Sequence, residues 1–441
     1  MTHRIRNVKR TLKKLIREAS DISWLFARRP GHDFTRKSKL GFEKTISILL
    51  AMEGRSINNE LLKYFNCSEN TPTASAFIQC RNKLLPEAME TLFRRFTESF
   101  GTEHTYKGFR LLAVDGSDIR IPTNSDDGDS FFPSKNGSKA YNLMHLNAMY
   151  DLLNRIYTDA IVEGSQVCDE QRALQRMVDR SPIRNSLLLA DRGYEGYNSL
   201  AHVQEKGWKF LFRIKDGAGG IVSGLDLPDA EEFDVFFDMH LTRKQSNEVK
   251  ALLKDRNRYK KLTPDCNFDF LPSRSRYSVP IKPFALPFRV VRFKVSDSAL
   301  ETVITNLDPK DFPPSELKKL YAMRWGIETS FRSLKYTVGL LHFHAKKVEH
   351  IRQEIFARLI MYNFSELITS HVVIQKRSNK YAYKANFSAA VHICRQVFLG
   401  NVSPPQAETL IAKTVSPIRP GRSSPRRLSQ KSSVSFIYRI A

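Results

Sequence analysis

Two short apolar runs, each followed by an aspartate, constrain this chain most. "RLLAV" (110–114) leads into Asp115, and "SLLLA" (186–190) leads into Asp191. Apolar runs of this length, bounded by polar residues, read as strands buried on both faces. Between them, "LNAMYDLLNRIYTDAIV" reads as a hairpin turning near Leu153 and Asn154, and "DEQRALQRMVDR" has helical spacing. "YNSLAHVQEKG" reads as a helix stopped by Gly207, and "WKFLFRIK" as one more strand. Strands alternating with helices imply an α/β layer architecture. The first strand is expected to end in its carboxylates. In an α/β sheet ligands gather at the carboxyl ends of strands, which draws attention to both aspartates. Taken alone, each is more simply a strand-end cap or turn residue.

The flanking regions have other periods. Residues 1–105 show apolar residues three and four apart and predict a helical N-terminal domain. Within it, "SINNELLKYF" and "TASAFIQCRNKLL", joined by "NCSENTPT", suit a helix-turn-helix or two helices of a plain bundle. The basic run 28–39 suits a phosphate-contacting loop or a solvated linker. Residues 106–216 read as the first part of an α/β core. Residues 217–305 read as a proline-broken, mostly β insertion, with "FDVFFDMHL" and "ALETVITNL" among its strands. Residues 306–375 complete the core. Residues 376–441 are helical and then basic, a region suited to dimerisation that ends in a Ser/Pro/Arg-rich mobile tail from about 414.

Charge narrows the partner. The 441 residues hold 70 Lys and Arg against 46 Asp and Glu, a formal net charge of +24. That excess points to a polyanion, nucleic acid before an anionic membrane surface. No apolar run reaches eighteen residues, so no transmembrane helix is expected, and the basic first residues lack the apolar core of a secretory signal. The five cysteines are scattered without a CxxC pair, which argues against a disulfide framework or zinc site and fits a reducing compartment.

A third stretch, "YAMRWGIETSFRSLKY" (321–336), has the spacing of an amphipathic helix. At about 100° per residue, Tyr321, Arg324, Glu328 and Lys335 fall within an arc of roughly 60°. Leu320, Met323, Ile327, Phe331 and Leu334 form an apolar stripe beside it. By itself this is an ordinary charged face with one i,i+4 ion pair. Beside Asp115 and Asp191, Glu328 would complete a cluster of like charges. Such a cluster calls for hard cations with oxygen ligands, Mg2+ or Mn2+.

Taken together, "LLAVDGSDIRIP", "LLLADRGYEGY" and "YAMRWGIETSFRSLKY" resemble the three catalytic blocks of bacterial insertion-sequence DDE transposases. The last matches the Y-x2-R-x3-E-x6-K signature of insertion-sequence family four. The resemblance covers roughly residues 108–365. It implies an α/β, ribonuclease-H-like catalytic core with a β insertion before the glutamate, preceded by the helical N-terminal domain. It implies a cut-and-paste transposase in which Asp115, Asp191 and Glu328 are catalytic and hold two Mg2+ (or Mn2+) ions. Tyr321, Arg324 and Lys335 would bind DNA. The implied partners are double-stranded DNA, as transposon ends and target, and a second copy in the synaptic complex, in the bacterial cytoplasm at the nucleoid. Relatives take up a flipped base on a tryptophan of the insertion; here Trp208 and Trp325 are the tryptophans of the catalytic span, and neither lies clearly in the insertion.

Weaker candidates remain. Arg192 would orient Asp191 or touch phosphate, and Trp325 would pack in a core or meet a base. Asp118 reads as a turn residue or a supporting carboxylate, and "HFH" (342–344) as basic surface before a metal site. Two rival classes are a DNA-binding protein without catalysis and a metal-dependent nuclease without strand transfer.

Overall fold

The computed structural model describes residues 2–418 except 37, 136, 138, 216–218, 245, 273–281, 297–298 and 375–381. The expected basic tail lies outside the described residues from 419 onward.

The N-terminal region folds as five helices: α1 (Thr2–Asp21), α2 (Phe42–Ala51), α3 (Ile57–Tyr64), α4 (Ala74–Arg81) and α5 (Glu87–Glu98). On α1, Ile5, Val8, Leu12, Leu15, Ile16 and Ala19 are buried, a stripe at helical period. Ser56 caps α3 and Thr73 caps α4, each accepting the backbone N–H of the third residue of its helix. These helices surround the later, almost wholly buried α11 (Val348–Thr369).

The chain then enters a sheet of ten strands. They are β1 (Arg110–Ile121), β2 (Phe131–Phe132), β3 (Tyr141–Asp151), β4 (Ile156–Gly164), β5 (Ser186–Ala190), β6 (Lys209–Arg213), β7 (Phe233–Thr242), β8 (Tyr259–Lys261), β9 (Phe284–Ser296) and β10 (Ala299–Thr305). The order is β3-β1-β5-β6-β10-β9-β7-β8, with β2 and β4 on the far side of β3. β3 runs antiparallel to β1 and β4, while β1, β5 and β6 run parallel. The expected hairpin is β3 and β4, turning at 152–155. The strands after β6 extend this same sheet outward: β10 pairs with β6, β9 with β10, and β7 with β9, each antiparallel.

Period-two alternation splits the sheet into two faces. Leu112, Val114, Leu188, Ala190, Phe210 and Phe212 pack with α6 (Glu170–Arg180) and α7 (Tyr197–Glu205). Leu111, Leu187, Leu189 and Leu211 pack instead with α9 (Pro314–Met323), reached after the short α8 (Asn247–Leu252). α10 (Trp325–Arg332) continues along β1 on that second face. The C-terminal helices α12 (Phe387–Leu399) and α13 (Pro404–Lys413) pack on the helical layer, and strands β11 (Tyr383–Ala385) and β12 (Val415–Pro417) form a separate pair. Among the described residues, no helix is long and apolar enough to cross a membrane.

Candidate active site

β1 does not end at Asp115. It continues to Ile121, so the expectation of a strand ending in its carboxylates is corrected. The reason is that only one side of the strand loses its neighbour. Parallel pairing with β5 stops at Val114 and Ala190, while antiparallel pairing with β3 persists to Ile121 and Asn142. Asp115 and Asp191 are therefore the first residues beyond the parallel ladder on adjacent strands. Asp191 also caps a short 3-10 turn, Arg192–Tyr194, its Oδ1 accepting from the Arg192 N–H at 2.7 Å.

Alternation turns Asp115 toward the face covered by α9 and α10, which brings Glu328. The helix carrying it is not the uniform rod the wheel assumed. At Arg324 it tightens, with the Arg324 N–H donating to the Tyr321 carbonyl and the Ile327 N–H to the Arg324 carbonyl. Over Ser333–Thr337 it widens into a π-turn, a feature frequent at functional sites. Both irregularities fall on signature residues, Arg324 and Lys335.

Arg324 links two of the carboxylates. Its Nη1 lies 3.4 Å from Asp115 Oδ2, and its Nη2 donates to Glu328 Oε1 at 3.0 Å. Asp191 is held by a different arginine, Arg213 on β6, at 2.8 Å. Burial pushes the Asp115 carboxyl up to about 6; the nearby charges of Glu328 and Asp191 add to this, and Arg324 pulls against it. Asp115 thus feels both other carboxylates, although the three come from separate motifs.

The flanking residues divide by exposure. Tyr321 and Arg324 are each only 3% exposed. The Arg324 guanidinium stands 5.7 Å from the ring centroids of both Tyr321 and Trp325. The Tyr321 hydroxyl has no hydrogen-bond partner among the described residues, and burial raises its pKa. Lys335 is part-buried and donates to the Asp118 carbonyl at 2.8 Å. Trp325 is half exposed, and Arg192 is exposed. Trp325 and Arg192 are thus open to solvent and Lys335 partly so, while Tyr321 and Arg324 are buried. Trp208 is a core residue, its indole N–H donating to the Ile183 carbonyl. His344 is not basic surface as expected: its side chain is 3% exposed, between Glu354 and Glu60.

The donor set suits a hard divalent cation, being all carboxylate oxygen. As the side chains stand, no three His, Cys, Asp or Glu among the described residues converge to hold a metal ion. Guanidinium groups occupy the carboxylate oxygens instead, so positive charge already sits where a cation would be needed. The residues fit the ions in chemistry and charge, and binding requires the carboxylates to turn off their arginines.

Sequence reasoning missed Arg213, Glu170 and His145. Arg213 was findable: it is the first charged residue after the apolar "FLF" of β6, and Phe212 pairs with Ala190, one residue before Asp191. Glu170 and His145 carry no local signal, because they meet only through the sheet.

Comparison with known proteins places the chain in a class. The transposase DDE domain family matches residues 106–364, more than half of the chain, and the chain belongs to that family. Within it, the likeness is to insertion-sequence family four. Transposase InsG for insertion sequence element IS4, from Escherichia coli (strain K12), is 24% identical over 302 residues. Those residues are 66% of this chain and 59% of that relative, so the match spans about three fifths of the relative's length. A cryo-EM structure of the piggyBac transposase synaptic complex with hairpin DNA aligns with a TM-score of 0.42 at 9% identity, covering 88% of this chain and 78% of that one. At that level of likeness neither fold nor function is read across.

Proposed function

We propose that this chain is a cut-and-paste DNA transposase that binds the inverted terminal repeats of an insertion sequence and catalyses metal-dependent strand cleavage and strand transfer. The observation that carries this reading is the gathering of Asp115, Asp191 and Glu328 about two arginines, inside the segment the family matches. The core is read as ribonuclease-H-like. The strand order β4-β3-β1-β5-β6, antiparallel then parallel, with the acids where the parallel ladder stops, supports that reading. Residues 1–105 would hold the transposon end, 106–216 and 306–375 would form the core around the 217–305 insertion, and 376–441 would serve dimerisation.

Asp115, Asp191 and Glu328 would hold two Mg2+ (or Mn2+) ions, which when bound supply activation of a water or 3′-hydroxyl and stabilisation of the leaving oxygen. The chain's own groups do the rest. Lys335, and Arg192 beside Asp191, neutralise phosphate and set the DNA end in register. Trp325 offers a ring face to an unpaired base. The Arg324 guanidinium, close to the Tyr321 and Trp325 rings, keeps Asp115 and Glu328 from repelling each other before DNA and metal arrive. Two ends cut in one complex require at least two copies.

The test is incubation with a linear DNA carrying the gene's own flanking sequences and Mg2+. The expected result is cleavage at the element ends and joined products, both abolished by Asp191→Ala with DNA binding retained. Cleavage without joined products would instead make the chain a nuclease, and binding without cleavage would make it a DNA-binding protein.

A further inference from the structure

Both aspartate motifs contain a glycine, Gly116 directly after Asp115 and Gly193 two residues after Asp191. Neither has a positive φ, so backbone freedom does not account for them. Space does. A Cβ on Gly116 would come within 2.3 Å of His145 Nε2 and 2.5 Å of Glu170 Oε1. A Cβ on Gly193 would come within 3.2 Å of the other oxygen of the same carboxylate, Glu170 Oε2. One glutamate therefore lies against both backbone segments that carry the site's aspartates.

Glu170 reaches there for local reasons. Asp169 caps α6, accepting the Arg172 N–H at 3.0 Å, which sets Glu170 in the first turn. Alternation along β1 turns Gly116 and Asp118 to the α6 face, opposite to Asp115. His145 stands directly across from Asp118 in the β1–β3 ladder. Its Nδ1 is 2.8 Å from Asp118 Oδ1, and its Nε2 is 3.1 Å from Glu170 Oε1, an ion pair rather than an aligned hydrogen bond. Burial would lower the imidazole pKa, but the Asp118 and Glu170 carboxylates push it up to about 9. At neutral pH the histidine is a cation bridging two anions.

We infer that Glu170 and His145 are positioning residues: a buttress behind β1 that locks the Asp115 and Asp191 backbones together at the spacing a pair of divalent ions needs. The inference rests on the metal-dependent reading of the front face. A carboxylate set against the middle of β1 at Gly116 and against the turn after β5 at Gly193 resists their sliding or spreading, and the two glycines are the clearance it requires. The bridging imidazolium offsets the negative charge that Glu170 and Asp118 would otherwise add behind an already acidic site. Groups that orient metal ligands in this way typically change metal affinity or activity by about 10–100-fold when removed.

The experiment uses the full chain with Mn2+ as probe, followed by electron paramagnetic resonance titration. End cleavage, DNA-end binding and melting temperature are measured alongside. Glu170→Gln keeps shape and removes charge, His145→Asn removes the bridge, and Gly116→Ala pushes both side chains aside. Each is expected to weaken Mn2+ binding and raise the Mg2+ needed for cleavage by about tenfold or more. DNA binding is expected within twofold of the parent and melting temperature nearly unchanged. Gly116→Ala combined with Glu170→Gln is expected to lose no more than either alone, since both disturb one contact. Variants that bind Mn2+ as the parent does, or losses that simply add, overturn the buttress while leaving the site reading in place. A parent that binds no Mn2+ and cleaves nothing overturns the site reading and the buttress with it. Should Gly116→Ala fail to fold, Glu170→Ala, which removes the side chain itself, decides instead: Mn2+ binding equal to the parent's overturns the buttress.

Discussion

Two groups of charge in this molecule, one buried and one part-exposed, invite comparison. In the helical layer, Arg81 of α4 meets Glu354 of α11 at 2.7 Å, and both side chains are 3% exposed or less. Arg81 also donates to Gln353 Oε1 and the His350 carbonyl. The second oxygen of Glu354 accepts from the His344 backbone N–H at 3.0 Å, and the His344 ring stands beside it and faces Glu60. Arg358 donates to the carbonyls of Met52 and Glu53. Burial alone would raise the Glu354 pKa, yet Arg81 and His344 hold it well below the usual carboxylate range. In the sheet the balance is opposite. Burial and two neighbouring carboxylates keep Asp115 raised, and its arginine is shared with Glu328. The helical group is closed: Arg81 matches Glu354, the Glu53 and Arg55 backbone N–H groups donate to Glu60, and the His344 ring stands between the two acids. The sheet group is open, with three acids on two arginines and Arg324 shared between Asp115 and Glu328. A closed network ties elements together, whereas an open one is poised to take a cation.

The contrast can be broken most severely at Glu328. Glu328→Gln should lower end cleavage by about a thousandfold, roughly 4 kcal/mol of transition-state stabilisation, while leaving the melting temperature near the parent's. A quantitative cleavage assay beside thermal unfolding reads both. The closed group should show the reverse pattern. Glu354→Ala leaves Arg81 buried without a counter-charge and should cost about 3–5 kcal/mol of stability, read by urea unfolding. Because the folded-state pKa of Glu354 is depressed, its contribution is in place at neutral pH. It is lost as pH falls below the ordinary carboxylate range, so Glu354→Gln should flatten the acid limb of the stability profile.

Divalent ions sharpen the comparison at smaller scale. At ten times its dissociation constant, Mg2+ should stabilise the parent by about 1.4 kcal/mol, seen as a rise in melting temperature. The rise should vanish in Asp115→Asn and persist in Arg81→Met. Lys335→Ala should have the smallest effect, weakening DNA-end binding several-fold, about 1 kcal/mol, with a shallower salt dependence in a binding titration.

Much of this was legible in the chain. The runs before Asp115 and Asp191 are long enough for a strand and too short for a buried helix, so β1 and β5 were readable. The stripe of Leu320, Met323, Ile327, Phe331 and Leu334 was readable as the inner side of α9, α10 and the π-turn, with Met323 only partly buried. The spacing of Tyr321, Arg324, Glu328 and Lys335 pointed to one edge of that stripe. Other features were not readable, because their cause lies on another strand. Asp115 sits mid-strand since β3 outlasts β5 as its partner, and no local pattern reports which neighbour ends first. Tyr321 and Arg324 look like surface residues on a wheel, yet the sheet beneath α9 covers them.

The sequence by itself determined the element types, the acidic, basic and aromatic residues available to a site, and the family. Those follow from local periodicity and from motifs read along the chain. Only the tertiary structure decided which charges are shared and which are closed, that Arg213 answers Asp191, and that Glu170 lies against Gly116 and Gly193. The physical reason is that pairing register and sheet faces bring together residues far apart in sequence. Burial then sets what each charge needs, and neither quantity is written in any single segment.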